Sequence, residues 1–230
     1  MKDTRLSPSS LNLFLKCPRC FWLSKHGVPE AKGIFPSLPG GFDRELKKYY
    51  DKFRAKRELP PEIKSSFPAG TRLYEDQEKL DGMRNWRSGL KAKIKDGVIL
   101  TGALDEIIYL PDGFAPFDYK TKGSAPADDT LKYYQFQLDC YAYMLDENGY
   151  KTNGKGYLSV YYPNAVSTTK KPDYAVAQMM CKIIETNTIK QNAVDVCLAA
   201  ANCLESAIPP ASSGCEVCGR IGKLKELNLL

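Results

Sequence analysis

An α/β (α+β) fold with a mixed central β-sheet flanked by helices is the class predicted for this 230-residue chain, and three observations predict it. Apolar runs bounded by turn signals, from Val98 to Thr121 and from Gly156 to Tyr162, read as strands. Apolar stripes at helical spacing before, between and after them read as helices. The resulting order of helix, strand, strand, helix, strand belongs to a layered domain. The length leaves room for one mixed core, and 43% hydrophobic residues suffice to fill it.

Taken in order, the first element is a helix from Ser9 to Lys16 and the second a helix from about Gly41 to Arg57. A loop-rich bridge follows, marked by Pro60-Pro61 and Pro68-Ala69-Gly70, then a charged stretch through Trp86. Val98 to Thr121 reads as a β-hairpin turning at Pro111-Asp112-Gly113. Leu131, Tyr134, Leu138, Tyr141, Ala142 and Leu145 then form a helical stripe, capped at Asp129 or Thr130 and ended by Asn148-Gly149. A strand from Gly156 to Tyr162, a strand-like run from Ala177 to Glu185 and a helix from Ile189 to Ser206 complete the series. There is no repeat or low-complexity segment. The chain is expected to form one domain over residues 1–230: an N-terminal helical part (1–97), a core (98–206) and a C-terminal cysteine segment (207–230).

The hairpin carries the chemistry. Asp118 and Lys120 lie two apart on a strand and share a face, and the turn sets Asp105 opposite one of them. A lone Asp-x-Lys is usually a surface ion pair. Here both acids lie in apolar runs, where an unpaired charge is costly and calls for a cation. Asp105 and Asp118 are therefore candidate ligands for Mg²⁺ or Mn²⁺, and Lys120 is placed to orient an attacking water. On the next helix, Gln137 and Tyr141 are four apart and can hydrogen-bond that water, the lysine or a phosphate. A phosphodiester is the natural substrate.

Cysteines form the second constellation. The chain has eight, with no signal peptide and no apolar stretch long enough to cross a membrane, so a reducing cytoplasm is expected and a disulfide framework is not. Cys17-Pro18-Arg19-Cys20 and Cys215-Glu216-Val217-Cys218 are Cys-x-x-Cys pairs near opposite ends, fit to grip one soft metal centre, either zinc or an iron–sulfur cluster. Cys140, Cys181, Cys197 and Cys203 read as small buried hydrophobes.

The net charge of +6 and pI near 8.8 suit an anionic partner. Arg44, Lys47, Lys48, Lys52, Arg54, Lys56 and Arg57 crowd the second helix and its exit; Arg84, Arg87, Lys91, Lys93 and Lys95 lead into the hairpin. Trp86, Tyr133 and Tyr134 can stack bases beside them. Three functions compete: a metal-dependent nuclease, a catalytically silent nucleic-acid-binding module with a structural iron–sulfur or zinc centre, and an enzyme on small phosphates. The two acids converging with a lysine argue against the second. The lack of a phosphate-cradling glycine loop argues against the third.

Read together, Gly102-Ala103-Leu104-Asp105, Asp118-Tyr119-Lys120-Thr121 and Gln137-Leu138 with Tyr141 resemble the PD-(D/E)XK nuclease superfamily, in its RecB-like and Cas4-like exonuclease branch. Leu6-Ser7-Pro8-Ser9-Ser10-Leu11 leading to Cys17-Pro18-Arg19, and the C-terminal cysteine pair, extend the resemblance over nearly the whole chain. It implies a restriction-endonuclease-like core, Asp105 and Asp118 as metal-binding acids, Lys120 as catalytic lysine, and Gln137 with Tyr141 as an accessory motif. Relatives often carry another ligand on a preceding helix. Asp43 holds the equivalent position, although its residue type alone reads equally well as a first-turn acid favoured by the helix dipole; His26 lies too near the first cysteines. In iron–sulfur relatives one cysteine precedes the core and three follow. This chain must take its fourth ligand from Cys20 or Cys203, and the symmetric spacing favours Cys20. By this analogy a 4Fe-4S cluster stands ahead of zinc. The expected function is a DNA nuclease, an exonuclease on single-stranded ends, acting on single-stranded DNA or duplex ends, with protein partners in repair, replication or CRISPR adaptation.

Overall fold

Strand pairing in the computed structural model, which describes residues 3–28, 37–168, 173 and 175–228, divides a curled mixed sheet into two ladders. The first orders β1 (Thr4–Leu6), β4 (Val98–Gly102) and β3 (Leu90–Lys95). The second orders β2 (Arg72–Leu73), β5 (Glu106–Leu110), β6 (Gly113–Thr121), β7 (Lys155–Thr168) and β8 (Ala175–Asn187). β1 runs parallel to β4 and β6 parallel to β7, and the remaining pairs are antiparallel. Helices flank them: α1 (Pro8–Lys16), α2 (Pro18–Lys25), α3 (Ser37–Ala55), α4 (Pro61–Lys64), α5 (Gln77–Arg84), α6 (Gln135–Glu147), α7 (Lys190–Glu205) and α8 (Glu216–Glu226). The mixed, helix-flanked sheet agrees with the predicted fold class.

The run from Val98 to Thr121 is not one hairpin. Its first strand, β4, pairs with β1 and β3; the chain then crosses unpaired through Ala103 to Asp105 and enters the other ladder as β5. At the end of β4 the chain packs closely on α6: a Cβ at Gly102 would lie 2.6 Å from Met144 Cε and 3.1 Å from Tyr141 Cε1, so a side chain there would require the Met144 tip to shift. The hairpin proper, β5–β6, keeps the expected turn at Pro111-Asp112, with Gly113 at a φ of 145°.

Local signals explain the helices. At α1, Ser7 is the N-cap of a reciprocal capping box: its Oγ accepts from Ser10 N–H at 3.2 Å, and Ser7 N–H donates to Ser10 Oγ at 2.8 Å, with Pro8 at the first helical position. On α3, Leu46 and Tyr50 are buried at helical spacing with Phe42, Tyr49 and Phe53 beside them, against Phe117, Tyr119 and Tyr157 of the sheet. The helix predicted from Asp129 or Thr130 is divided: a 3₁₀ turn, Thr130–Tyr133, precedes α6. On the opposite side of the sheet, α1, α6 and α7 share a core of Leu11, Tyr141, Met144, Leu145 and Cys197 with Leu100 and Ile107. Cys140 and Cys197 are fully buried, whereas Cys181 and Cys203 are only partly so.

Candidate active site and cysteine centre

Asp105 sits in the unpaired crossing, one residue before β5. The β5–β6 register pairs Glu106 with Phe117, so the next step sets Asp105 beside Asp118, and Tyr119 N–H donates to Asp105 Oδ2 at 3.2 Å. Alternation along β6 sends Phe117 and Tyr119 into the core under α3 and turns Asp118 and Lys120 to the other face, toward α6. Asp118 is buried. Its Oδ2 meets the Lys120 ammonium as an ion pair. Burial raises the Asp118 carboxyl to about 7; Lys120 opposes the rise and Asp105 adds to it. Burial alone would lower the Lys120 ammonium, but Asp118 and Asp105 outweigh it and keep the group above the ordinary lysine value. Two carboxylates meeting at a buried site, with the Lys120 ammonium as the cation on Asp118, fit a hard divalent cation.

A stripe on α3 closes one side of this cluster. Asp43, Lys47, Asp51 and Arg54 recur at helical spacing, and each is spoken for. Lys47 Nζ lies 2.9 Å from Asp43 Oδ2 and 2.9 Å from Asp105 Oδ1. Asp51 binds Arg54 and Arg84 at 3.0 and 2.9 Å. Arg54 in turn reaches the fully buried Glu106 at 2.6 Å, where Tyr119 Oη–H also donates at 2.9 Å. Arg84 Nε–H donates to the main-chain carbonyl of Asp105 at 2.8 Å. Asp43 is therefore not a first-turn acid, because α3 begins at Ser37, and Lys47 stands between it and Asp105.

From α6, Gln137 Nε2–H donates to Tyr141 Oη at 2.8 Å, and Tyr141 Oη–H donates to the Ala103 carbonyl at 2.7 Å. Tyr141 and Arg84 thus pin the crossing from two sides. Gln137 and Tyr141 also line a groove of about 600 Å³, together with Arg5, Trp86, Arg87 and Lys91. Trp86 is 77% exposed, with the Arg87 guanidinium 5.0 Å from its ring centroid. Lys93 is exposed further along the same face of β3. The basic clusters divide accordingly. Lys47, Arg54 and Arg84 turn inward to acids and are unavailable to an external polyanion, while Arg87, Lys91 and Lys93 face solvent. Tyr134 lies under Lys120, 4.9 Å from the ammonium to its ring centroid, while Tyr133 is exposed.

Cys17, Cys20, Cys215 and Cys218 place their Sγ atoms within 4.8 Å of one another. Cys17 ends α1 and begins α2, Cys20 follows in α2, Cys215 is the N-cap of α8, and Cys218 is one turn on. Helix N-termini favour thiolates. Burial pushes the Cys20 and Cys218 thiols up, but at Cys17 hydrogen bonds from the Ser212 and Cys20 backbone and from neighbouring thiols outweigh burial and bring the group to about 6. Cys20 meets Cys215 and Cys218 at 3.6 Å each, and Cys17 meets Cys218 at 3.9 Å. Four thiolates about 2.3 Å from one tetrahedral ion lie about 3.8 Å apart. The set fits a bound metal and joins the two chain ends; Cys203 is not part of it.

The residues that sequence reasoning missed are Lys47, Arg84 and Glu106 as site supports. A partial signal was present for Lys47 alone: opposite charges at Asp43, Lys47, Asp51 and Arg54 on one helical stripe suit a paired face as well as a solvated one. No curated protein matches the chain. A family model for the PD-(D/E)XK nuclease superfamily matches residues 40–221, a span that contains both acids, Lys120, Gln137, Tyr141 and the second cysteine pair.

Proposed function

The chain belongs to the PD-(D/E)XK nuclease superfamily, and on that premise we propose that it is a divalent-metal-dependent DNA nuclease acting as an exonuclease on single-stranded ends. The observation that carries this reading is the meeting of Asp105, Asp118 and Lys120 beside Tyr141, which with Gln137 lines a basic groove. Asp105 and Asp118 would hold Mg²⁺ or Mn²⁺. Such an ion, when bound, supplies Lewis-acid polarisation of a phosphoryl oxygen and neutralises developing charge. Lys120 orients the attacking water and adds positive charge where the transition state becomes more negative. Gln137, steadied by Tyr141, donates to the phosphate or the water. Trp86 stacks a base, and Arg5, Arg87 and Lys91 contact the backbone.

Two features favour a single strand over an intact duplex. Asp118 is only 1% exposed, so the scissile phosphate must enter a recess, which a flexible strand can do. An exposed indole offers its face to a base that is free to unstack. Within the superfamily, cysteine pairs at both ends support the RecB-like and Cas4-like branch, whose iron–sulfur members suggest a 4Fe-4S cluster. The sulfur separations support a single tetrahedral ion, zinc, because a cubane interposes an iron between each thiolate and its core and spreads the sulfurs. Thiolates kept free for a metal suit a reducing cytoplasm.

The test is incubation of purified protein with end-labelled single-stranded, duplex and circular single-stranded DNA in Mn²⁺, Mg²⁺ or chelator. Stepwise shortening of linear single strands with a divalent ion is expected. Cutting of circles would replace exonuclease with endonuclease action, and undiminished turnover in chelator would sink the two-acid mechanism.

A further inference from the structure

We propose that Lys47 is a built-in counter-cation of the metal site: it holds Asp43 and Asp105 in the metal-free protein and must release Asp105 when a divalent ion enters. The inference rests on the nuclease reading and concerns the same acids. Its ground is the bridge itself. Lys47 Nζ lies 2.9 Å from a carboxylate oxygen on its own helix and 2.9 Å from one on the crossing before β5, with the lysine side chain 24% exposed. Both oxygens of Asp105 are engaged, Oδ1 by Lys47 and Oδ2 by Tyr119 N–H. An ion gripping Asp105 and Asp118 would therefore share an oxygen with an ammonium, and two cations on one oxygen repel strongly in a partly desolvated site.

The charges count the same way. With Asp118 ionised, Asp43, Asp105 and Asp118 set against Lys47 and Lys120 leave one negative charge without a divalent ion. One divalent ion turns that to one positive before any phosphate arrives. Without Lys47 the empty site carries two negative charges, which a single divalent ion neutralises. Asp43, four residues before Lys47 on α3, then acts as the partner that retains the displaced ammonium, not as a metal ligand. Lys47 is in this sense a positioning residue: it keeps Asp105 aimed when no ion is present and weakens binding of the first ion.

Mn²⁺ titration of the full chain by calorimetry tests this in the wild type and in Lys47→Gln, Lys47→Arg, Asp43→Asn, Asp43→Asn/Lys47→Gln and Asp118→Asn. Lys47→Gln should bind Mn²⁺ at least about tenfold tighter, the scale set by removing one neighbouring like charge. Lys47→Arg, which keeps the charge, should stay near wild type. Asp43→Asn should weaken binding, and the double variant, whose net site charge equals that of the wild type, should bind more weakly than Lys47→Gln and stay near the wild type. Unchanged or weaker binding by folded Lys47→Gln overturns the proposal. If Lys47→Gln does not fold, Lys47→Met takes its place under the same criterion. The nuclease reading fails separately: Mn²⁺ binding unaltered by Asp118→Asn would remove the metal site itself, whereas binding lost in Asp118→Asn with no gain in Lys47→Gln removes only the role of Lys47.

Discussion

Asp118 is buried beside Asp105, with the Lys120 ammonium as its counter-charge, and this burial sets its behaviour with pH. Its carboxyl is lifted to about 7 in the fold from an ordinary value of 3.8. The folded protein therefore keeps a proton that the unfolded chain releases, so metal-free stability falls as pH rises between about 4 and about 7. Thermal melts in chelator should show the wild type losing stability relative to Asp118→Asn across that window; a constant difference would contradict the placement. Asp105→Asn and Asp118→Asn should each lower cleavage by about a hundredfold or more, the scale of removing one preorganised charged group, with the fold retained. Lys120→Ala should lower turnover similarly while DNA affinity stays within about twofold, because one ammonium is a small part of a multi-phosphate contact. Wild-type cleavage by that variant would make Lys120 a mere partner of Asp118.

Element by element, the site depends on how α3 and α6 grip the crossing between the ladders. Glu106 is fully buried and answers two arginines and a tyrosine. Glu106→Gln leaves Arg54 and Arg84 short of a charge, so urea unfolding should show a loss of about 3–5 kcal/mol. An effect below about 1 kcal/mol would mean that Asp51 alone suffices. Gly89 is the tightest glycine contact: a Cβ there would lie 2.3 Å from the Gly102 carbonyl oxygen, so Gly89→Ala must push β3 from β4 and is expected to lower stability by about 1–3 kcal/mol. The turn at Pro111-Asp112, the spacing of Asp118 and Lys120, and the shared face of Gln137 and Tyr141 were legible in sequence because each is a local periodicity. The split of Val98 to Thr121 was not. β4 and β5 are equally apolar, and what separates them is the partner each meets, β1 and β3 for one and β2 and β6 for the other.

For the molecule as a whole, the cysteine centre is a long-range contact that spacing foretold, since two Cys-x-x-Cys pairs at Cys17-Cys20 and Cys215-Cys218 are spaced to grip one soft metal ion. The inward turn of Lys47 and Arg54 was hidden for the opposite reason: a charged residue on a helix looks the same from its neighbours whether it meets water or a buried acid. Replacing Cys215 by serine should lower the thermal midpoint and expose both ends to protease together, whereas Cys140→Ser should leave the ends protected; elemental analysis should find about one zinc per chain. Brown protein with iron in place of zinc would assign a cluster, and intact stability without any metal would refute the staple. Cys20 and Cys215 lie 195 positions apart, and tying them removes about 5 kcal/mol of denatured-chain entropy on the loop-closure estimate. With the centre filled, the polypeptide between them is a polymer ring. A single protease cut at the exposed Asn148-Gly149 turn would open that ring without dividing it, and the two fragments, which also share the β6–β7 pairing and the core between α6 and α7, would travel as one species in gel filtration.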